Sequence, residues 1–342
     1  MTNFSALIGE NFPKKTIVVV GDLVADQFLR GTINRVSREA PVFILRHDET
    51  ETLAGGAANA AVNVASLGAK AILIGAVGTD LNGDALLETL RASSVNCEFV
   101  IASDKIRTTT KVRVLAGQHY APRQQVIRID YENKQAIDAK IMAKLKTNLL
   151  KAGETAEAII ISDYNYGVAS REIAETAKQI AEARQIPLLI DSRFRLKDFA
   201  DATTATPNQE EIEQILGADF TETDCTELCS TLGYKALLIT RGNEGMLLIE
   251  KDKSARYFEA VGAKEPIDVT GAGDTVIAVY ALGLACGLDF AESAKMANHA
   301  GGIVVMKKGT ASVGKEELLA SIEKHKNASK FDDSSVKSSN SA

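Results

Sequence analysis

Five short apolar runs dominate what this chain can fold into: TIVVVGD (16–22), AILIGAV (71–77), AIIISDY (158–164), PLLIDSR (187–193) and ALLIT (236–240). Each is almost continuously apolar rather than alternating, the pattern of a strand buried on both faces. Helix-capable stretches lie between them: AANAAVNVASLG (57–68), DALLETLRASS (84–94), SREIAETAKQIAEARQ (170–185) and NQEEIEQIL (208–216). This alternation predicts an α/β fold, a doubly wound, mainly parallel sheet with helices on both faces.

Two β-rich stretches, 28–48 and 106–131, break the rhythm with Thr, Val, Ile and Arg. Within the second, TTTKVRVL and QVIRIDY alternate, so one face is polar. They predict a small sheet inserted into the main domain as a lid; an extra hairpin at the sheet edge is the plainer alternative. Residues 324–342 hold too few apolar side chains to offset their ordering entropy, and a disordered polar tail is expected there.

The whole chain has 342 residues, room for one large α/β domain or two average ones. Its net charge of −6 argues against nucleic-acid and anionic-membrane partners, while leaving a local basic pocket possible. Four cysteines are too few for a disulfide scaffold, and Cys225 and Cys229 read as reduced buried thiols. The N-terminus lacks the apolar core of a signal peptide, and no apolar run approaches the roughly 20 residues of a membrane span. A cytoplasmic protein is expected.

The stretch EPIDVTGAGDTV (265–276) carries the chemistry. A glycine-rich turn opening a helix presents free backbone N–H groups, and the helix dipole adds roughly half a positive charge there. Gly271, Ala272 and Gly273 therefore suit a phosphate. Asp274 would repel that anion, which makes sense if it instead takes a proton from an attacking hydroxyl. A plain helix cap is the other reading of Asp274. GAGDTV does not complete a dinucleotide-binding G-x-G-x-x-G, and GTASVGKE (309–316) has Glu316 where a Walker A loop needs Ser or Thr, so that stretch is set aside.

DVTGAGDT resembles the C-terminal signature of the ribokinase-like, or PfkB, family of carbohydrate kinases. VVVGDLVAD (18–26), LAGGAANAAVNVASLGA (53–69), TPNQEE (206–211) and LITRGNEG (238–245) match the family in order. The resemblance implies a ribokinase-like kinase domain over 14–323, lid strands from about 28–48 and 106–131, and a homodimer formed through that β lid. It implies ATP and Mg²⁺ as cofactors, with K⁺ as a further cation. By resemblance Asp274 is the base and Gly271, Ala272 and Gly273 form the anion hole. Asp26, Gly55, Gly56 and Asn59 match sugar-holding positions, whereas Asn63 is left as the polar face of an Ala-rich helix. Asn208 and Glu211 match the element that organises Mg²⁺ through water, and also read as a helix N-terminus. Asn208, Thr240, Arg241, Gly242, Gly245 and Asn298 correspond to the nucleotide side. Asp268 and Thr270 match positions whose backbone oxygens hold a monovalent cation.

Within the family, NRVSREAPV (34–42), RTTTKVRVL (107–115) and QQVIRIDYE (124–132) are similar to the heptose 7-phosphate kinase branch. That implies transfer of the γ-phosphate of ATP to O1 of D-glycero-D-manno-heptose 7-phosphate, for lipopolysaccharide-core or surface-glycan precursors. The chain contains no H-x-G-H motif, so the adenylyl-transfer step is expected in another chain. Arg35, Arg38, Arg107, Lys111, Arg113, Arg123 and Arg128 crowd the two lid segments. Lys111 and Arg113 share a strand face and are assigned to the phosphate the acceptor already carries; a solvated edge strand is the alternative. Arg38 and DSRFRLKDF (191–199) depart from the branch pattern. Another kinase of the family, for a hexose, fructose phosphate, ribose or nucleoside, therefore stays open, as does a non-catalytic sugar-phosphate sensor on the same fold.

Overall fold

The computed structural model describes residues 3–118, 123–133, 136–263 and 265–325. Most of the expected polar tail, and His119, lie outside the described residues. From the N-terminus the elements are α1 (Phe4–Ala6), β1 (Thr16–Gly21), β2 (Leu23–Val36), β3 (Phe43–Gly56), α2 (Ala57–Ser66), β4 (Lys70–Gly78), α3 (Leu81–Ala92), β5 (Val100–Ser103), β6 (Thr110–Gly117) and β7 (Gln124–Tyr131). There follow α4 (Ala139–Gly153), β8 (Ala158–Asp163), α5 (Arg171–Arg184), β9 (Leu188–Ser192), β10 (Thr204–Ala205), α6 (Gln209–Leu216), α7 (Glu222–Thr231), β11 (Ala236–Thr240), β12 (Met246–Glu250), β13 (Arg256–Phe258), α8 (Ala272–Ala285) and α9 (Phe290–Val304). A helix over 315–325 ends the described chain.

The main sheet has nine strands in the order β13-β12-β11-β10-β9-β8-β1-β4-β5. All pairings are parallel except those of β12, which are antiparallel. The continuous apolar runs have a simple cause. On β1, Ile17 and Val19 enter one core and Val18 and Val20 the other, and on β8 Ile160 and Ile159 divide the same way. One core packs against α2, α8 and α9; the other against α4, α5 and α7. α8 is buried from Asp274 to Gly283, so it runs through the interior rather than over the surface. No described helix is long and apolar enough to cross a membrane.

Chain order reverses between β1 and β8: successive strands add outward to β4 and β5 on one side and to β9, β10 and β11 on the other. Such a switch point opens a crevice beyond the carboxyl ends of the strands, where α/β folds bind ligands. The second sheet, ordered β3-β2-β6-β7, stands over that crevice. Its strands differ from the expected lid segments. β2 starts at Leu23, directly beyond β1, and β3 runs on to Gly56. The buried LVAD start of β2 is as apolar as the strand before it, so the sequence hides the junction. Residues 106–109 form no strand.

Candidate active site

The site is built around one carboxylate. Asp274 lies in the first turn of α8, only 2% exposed. The helix is entered through Gly271 in the left-handed region (φ 76°), where a side chain would meet Asn59 Nδ2 at 2.5 Å. Asn59, on α2, donates Nδ2–H to Asp274 Oδ2 at 2.8 Å. Tyr164, just past β8, donates its hydroxyl to Asp274 Oδ1 at 3.0 Å. Burial pushes the Asp274 carboxyl up to about 7, against the opposing pull of those two hydrogen bonds. A base poised near neutrality is what proton abstraction at physiological pH needs.

The second sheet supplies the other wall. Asp26 of β2 pairs with Arg113 of β6 (Nη1 to Oδ1, 2.5 Å), both nearly buried, and accepts the Thr310 hydroxyl on Oδ2 at 2.9 Å. Gly55 carries no side chain because a Cβ would sit 2.6 Å from Asp26 Oδ2. A cavity of about 650 Å³ opens beside this pair, lined by Phe28, Arg30, Arg113, Arg123, Thr270 and Lys308 among others. Lys111 is different: it makes no ion pair among the described residues, and its Nζ stands 5.5 Å over the Tyr164 ring. Burial lowers its pKa below the usual lysine range.

A crevice of about 240 Å³ leads from Gly271, Ala272 and Gly273 past Asp191, Arg193 and Thr206 to Asn208 and Glu211. Asn208 and Glu211 cap α6 reciprocally, each side chain 2.9 Å from the other's backbone N–H. Asp191 keeps part of its surface open, yet it lies so deep that desolvation, then the charges of Asp274, Glu211 and Asp163, raise its pKa well above the carboxylate range. Desolvation also raises Glu211. On the other side of the glycine turn, Thr240, Gly242, Gly245, Val276 and Asn298 line a mainly apolar pocket of about 180 Å³, shared with Ala272 and Gly273.

The model of pfkB family carbohydrate kinases matches residues 14–317. The chain belongs to that family. Bifunctional protein HldE of Haemophilus influenzae (Rd) is 39% identical over 325 residues, covering 93% of this chain and 65% of that protein. HldE of Hydrogenovibrio crunogenus is 40% identical over 314 residues, covering 90% and 63%. The chain thus spans slightly under two thirds of these relatives. Among solved structures, a ribokinase of Arabidopsis thaliana complexed with ribose and ATP superposes with a TM-score of 0.68 at 19% identity, covering 90% of this chain and 98% of that one. Escherichia coli phosphofructokinase-2 with substrates and products gives 0.72 at 17%, covering 90% and 97%.

This pfkB chain brings Asp274, Gly271, Ala272, Gly273, Asp26, Gly55, Gly56 and Asn59 into one cluster, and sets Thr240, Gly242, Gly245 and Asn298 around one pocket. Arg241 is not among that pocket's walls: it pairs with Glu244 and lies over the Tyr257 ring. Several lid cations are absorbed locally. Arg123 pairs with Asp48, Arg128 with Asp130, and Arg107 stacks on Tyr131. Asp268 uses its carboxylate on the N–H groups of Thr270 and Gly309. Asn63 is no polar surface: fully buried, it donates to Asn59 Oδ1 at 3.2 Å and so turns the Asn59 amide toward Asp274. Cys225 and Cys229 are buried free thiols, both raised to about 11 by burial. Three residues were not singled out from sequence: Asp22, Tyr164 and Thr310. The first two follow β1 and β8, the strands at the switch point, and that placement was the available signal. Thr310 sits in GTASVGKE, set aside above as a failed Walker A loop.

Proposed function

We propose that this chain transfers the γ-phosphate of ATP to O1 of D-glycero-D-manno-heptose 7-phosphate, giving the 1,7-bisphosphate and ADP. The observation that carries this reading is the place of Asp274. It directly follows the Gly271–Gly273 turn, whose residues line the apolar pocket and the crevice, while Thr270 just before the turn lines the cavity under the second sheet.

In this reading Asp274 takes the proton from the O1 hydroxyl as O1 attacks the γ-phosphorus, and the bond to the β-phosphate oxygen breaks to release ADP. Each carboxylate oxygen has a second lone pair, so Asn59 and Tyr164 leave room for the incoming hydroxyl. The backbone N–H groups at the mouth of α8 stabilise the phosphoryl charge, and most of the rate comes from positioning and charge stabilisation. Asp26 accepts sugar hydroxyls, with its orientation fixed by Arg113 and Thr310. Lys111 and Arg113 face the acceptor phosphate. The HldE relatives support the heptose acceptor.

The crevice fits a hydrated divalent cation. Among the described residues the Thr206 hydroxyl that lines it is buried without a partner, and burial, first among the causes, raises the carboxyls of Asp191 and Glu211 beside it, which a cation there would relieve. Asn208 and Glu211 would hold Mg²⁺ through water, and when bound it neutralises charge on the ATP phosphates. Backbone oxygens of Asp268 and Thr270 would hold a monovalent cation. A homodimer through the second sheet is supported by its exposed Phe43, Val126, Ile127 and Ile129.

The test is ATP consumption with product mass against heptose 7-phosphate, fructose 1- and 6-phosphates, ribose, fructose and adenosine. Selective formation of the heptose bisphosphate is expected. Preference for another acceptor would overturn the heptose assignment, and no turnover with any would favour a sensor.

A further inference from the structure

Tyr164 is fixed from four sides, more than a surface tyrosine beyond a strand needs. Asp22, 1% exposed at the end of β1, accepts the backbone N–H groups of Tyr164, Tyr166 and Val168, each at 2.9 Å. A buried carboxylate spent on three N–H groups of one short loop makes that loop rigid. Gly56 lies against the ring: its φ of +60° needs glycine, and a Cβ would meet the ring carbons at 3.3 Å. Lys111 Nζ stands 5.5 Å over the ring. At the far end the hydroxyl reaches Asp274 Oδ1.

We propose that Tyr164 is a positioning residue for phosphoryl transfer, holding the Asp274 carboxylate by its phenol hydrogen bond while Asp22 fixes the loop that carries it. This rests on Asp274 being the base. Burial, then the charges of Asp274 and Asp191, keep the phenol protonated, so it remains a donor at every working pH. A donor favours the ionised carboxylate. The other groups acting on Asp274 are Asn59 of α2, Asp26 of β2, Lys111 of β6 and Asp191 of β9. Asp26 opposes ionisation, whereas Asn59 and Lys111 favour it.

The experiment is the pH dependence of kcat for Tyr164→Phe, with ATP and heptose 7-phosphate, alongside site-specific 3-fluorotyrosine at 164. Tyr164→Phe should move the rising limb to higher pH by about one to two units, with roughly tenfold or greater loss at pH 7 that is largely recovered at pH 9. Its KM for ATP should stay within about twofold, because the phenol touches the base and not the nucleotide pocket. The more acidic fluorophenol, a stronger donor, should move the limb the other way. Opposite shifts from these two changes are not produced by loss of packing alone. An unmoved limb in both variants would overturn the proposal, even with kcat uniformly lowered. Asp274→Asn separates the two readings: if it turns over normally the base assignment fails, whereas a dead Asp274→Asn with unmoved limbs sinks Tyr164 alone.

Discussion

Asn59 and Asp274 are 215 positions apart in the chain, yet Asn59 Nδ2 lies 2.8 Å from Asp274 Oδ2. This contact ties α2, the helix that follows β3, to the buried helix α8. Asn63, one turn along α2, fixes the amide, and its own Oδ1 accepts from Thr275 on α8. Asn59→Ala should therefore lower kcat at pH 7 by about tenfold or more through loss of a donor to the carboxylate. A steady-state assay that finds kcat unchanged would remove Asn59 from the machinery.

Ionisation of Asp274 is expected to set the acidic limb of the rate profile. With its pKa near 7, the carboxyl is protonated and idle at pH 5.5 and mostly ionised at pH 8, so kcat should rise through about pH 7. A profile already flat from pH 5 to 8 would contradict the raised pKa.

The same shift should show in stability. The folded-state value of about 7 lies above the ordinary 3.8, so the folded chain binds the proton more tightly than the unfolded one. Stability contributed by protonated Asp274 is full below about pH 4 and is lost as pH rises to 7, a penalty on the order of several kcal/mol. Asp274→Asn removes the penalty, and its melting temperature should exceed the wild type's at pH 8 by several °C or more, the gain vanishing near pH 4. Calorimetry at the two pH values decides; equal gains at both would contradict the linkage.

Lys111 and Arg113 should separate. Arg113 shields a nearly buried carboxylate, so Arg113→Ala strands Asp26 and should destabilise the fold by roughly 3 kcal/mol as well as raise the KM of the acceptor. Lys111 has no ion-pair partner among the described residues, and Lys111→Ala should raise the acceptor KM with little change in melting temperature. Chemical denaturation of both variants beside their kinetics tests this; equal loss of stability would show that Lys111 is structural.

Gly302 lines the apolar pocket proposed for the nucleotide, and a Cβ there would come within 1.9 Å of the Val261 carbonyl oxygen. Gly302→Ala must push that wall, and a several-fold rise in the KM for ATP with an unchanged acceptor KM is expected. A matching rise in both would place the pocket elsewhere.

How much of this was legible in the sequence differs by level. The parallel strands were plain because both faces of each are buried, which leaves an unbroken apolar run, as in IVVV and AIII. The glycine turn at the mouth of a helix was legible, while Asp274 stayed open between a base and a helix cap, because its partners Asn59 and Tyr164 lie far away in the chain. The junction between β1 and β2 was hidden, since the apolar VVV of β1 is followed after only Gly21 and Asp22 by the equally apolar LVA of β2. Residues whose importance comes from distant partners were hidden too. Nothing local marks Thr310 as the partner of Asp26, or Asp22 as the anchor of the 164–168 loop. Strand alternation set Lys111 and Arg113 apart from the other cations of the second sheet, but not that Arg113 meets the nearly buried Asp26 while Arg123 and Arg128 pair with more exposed carboxylates.

The most direct test sets wild-type chain beside Asp274→Asn with Mg²⁺-ATP and heptose 7-phosphate, following products by ³¹P NMR and ATP binding by calorimetry. Wild type should form ADP and the 1,7-bisphosphate one for one, and Asp274→Asn should bind ATP normally while turning over at least about 100-fold more slowly. Near-normal turnover by Asp274→Asn would contradict the assignment of Asp274 as the base.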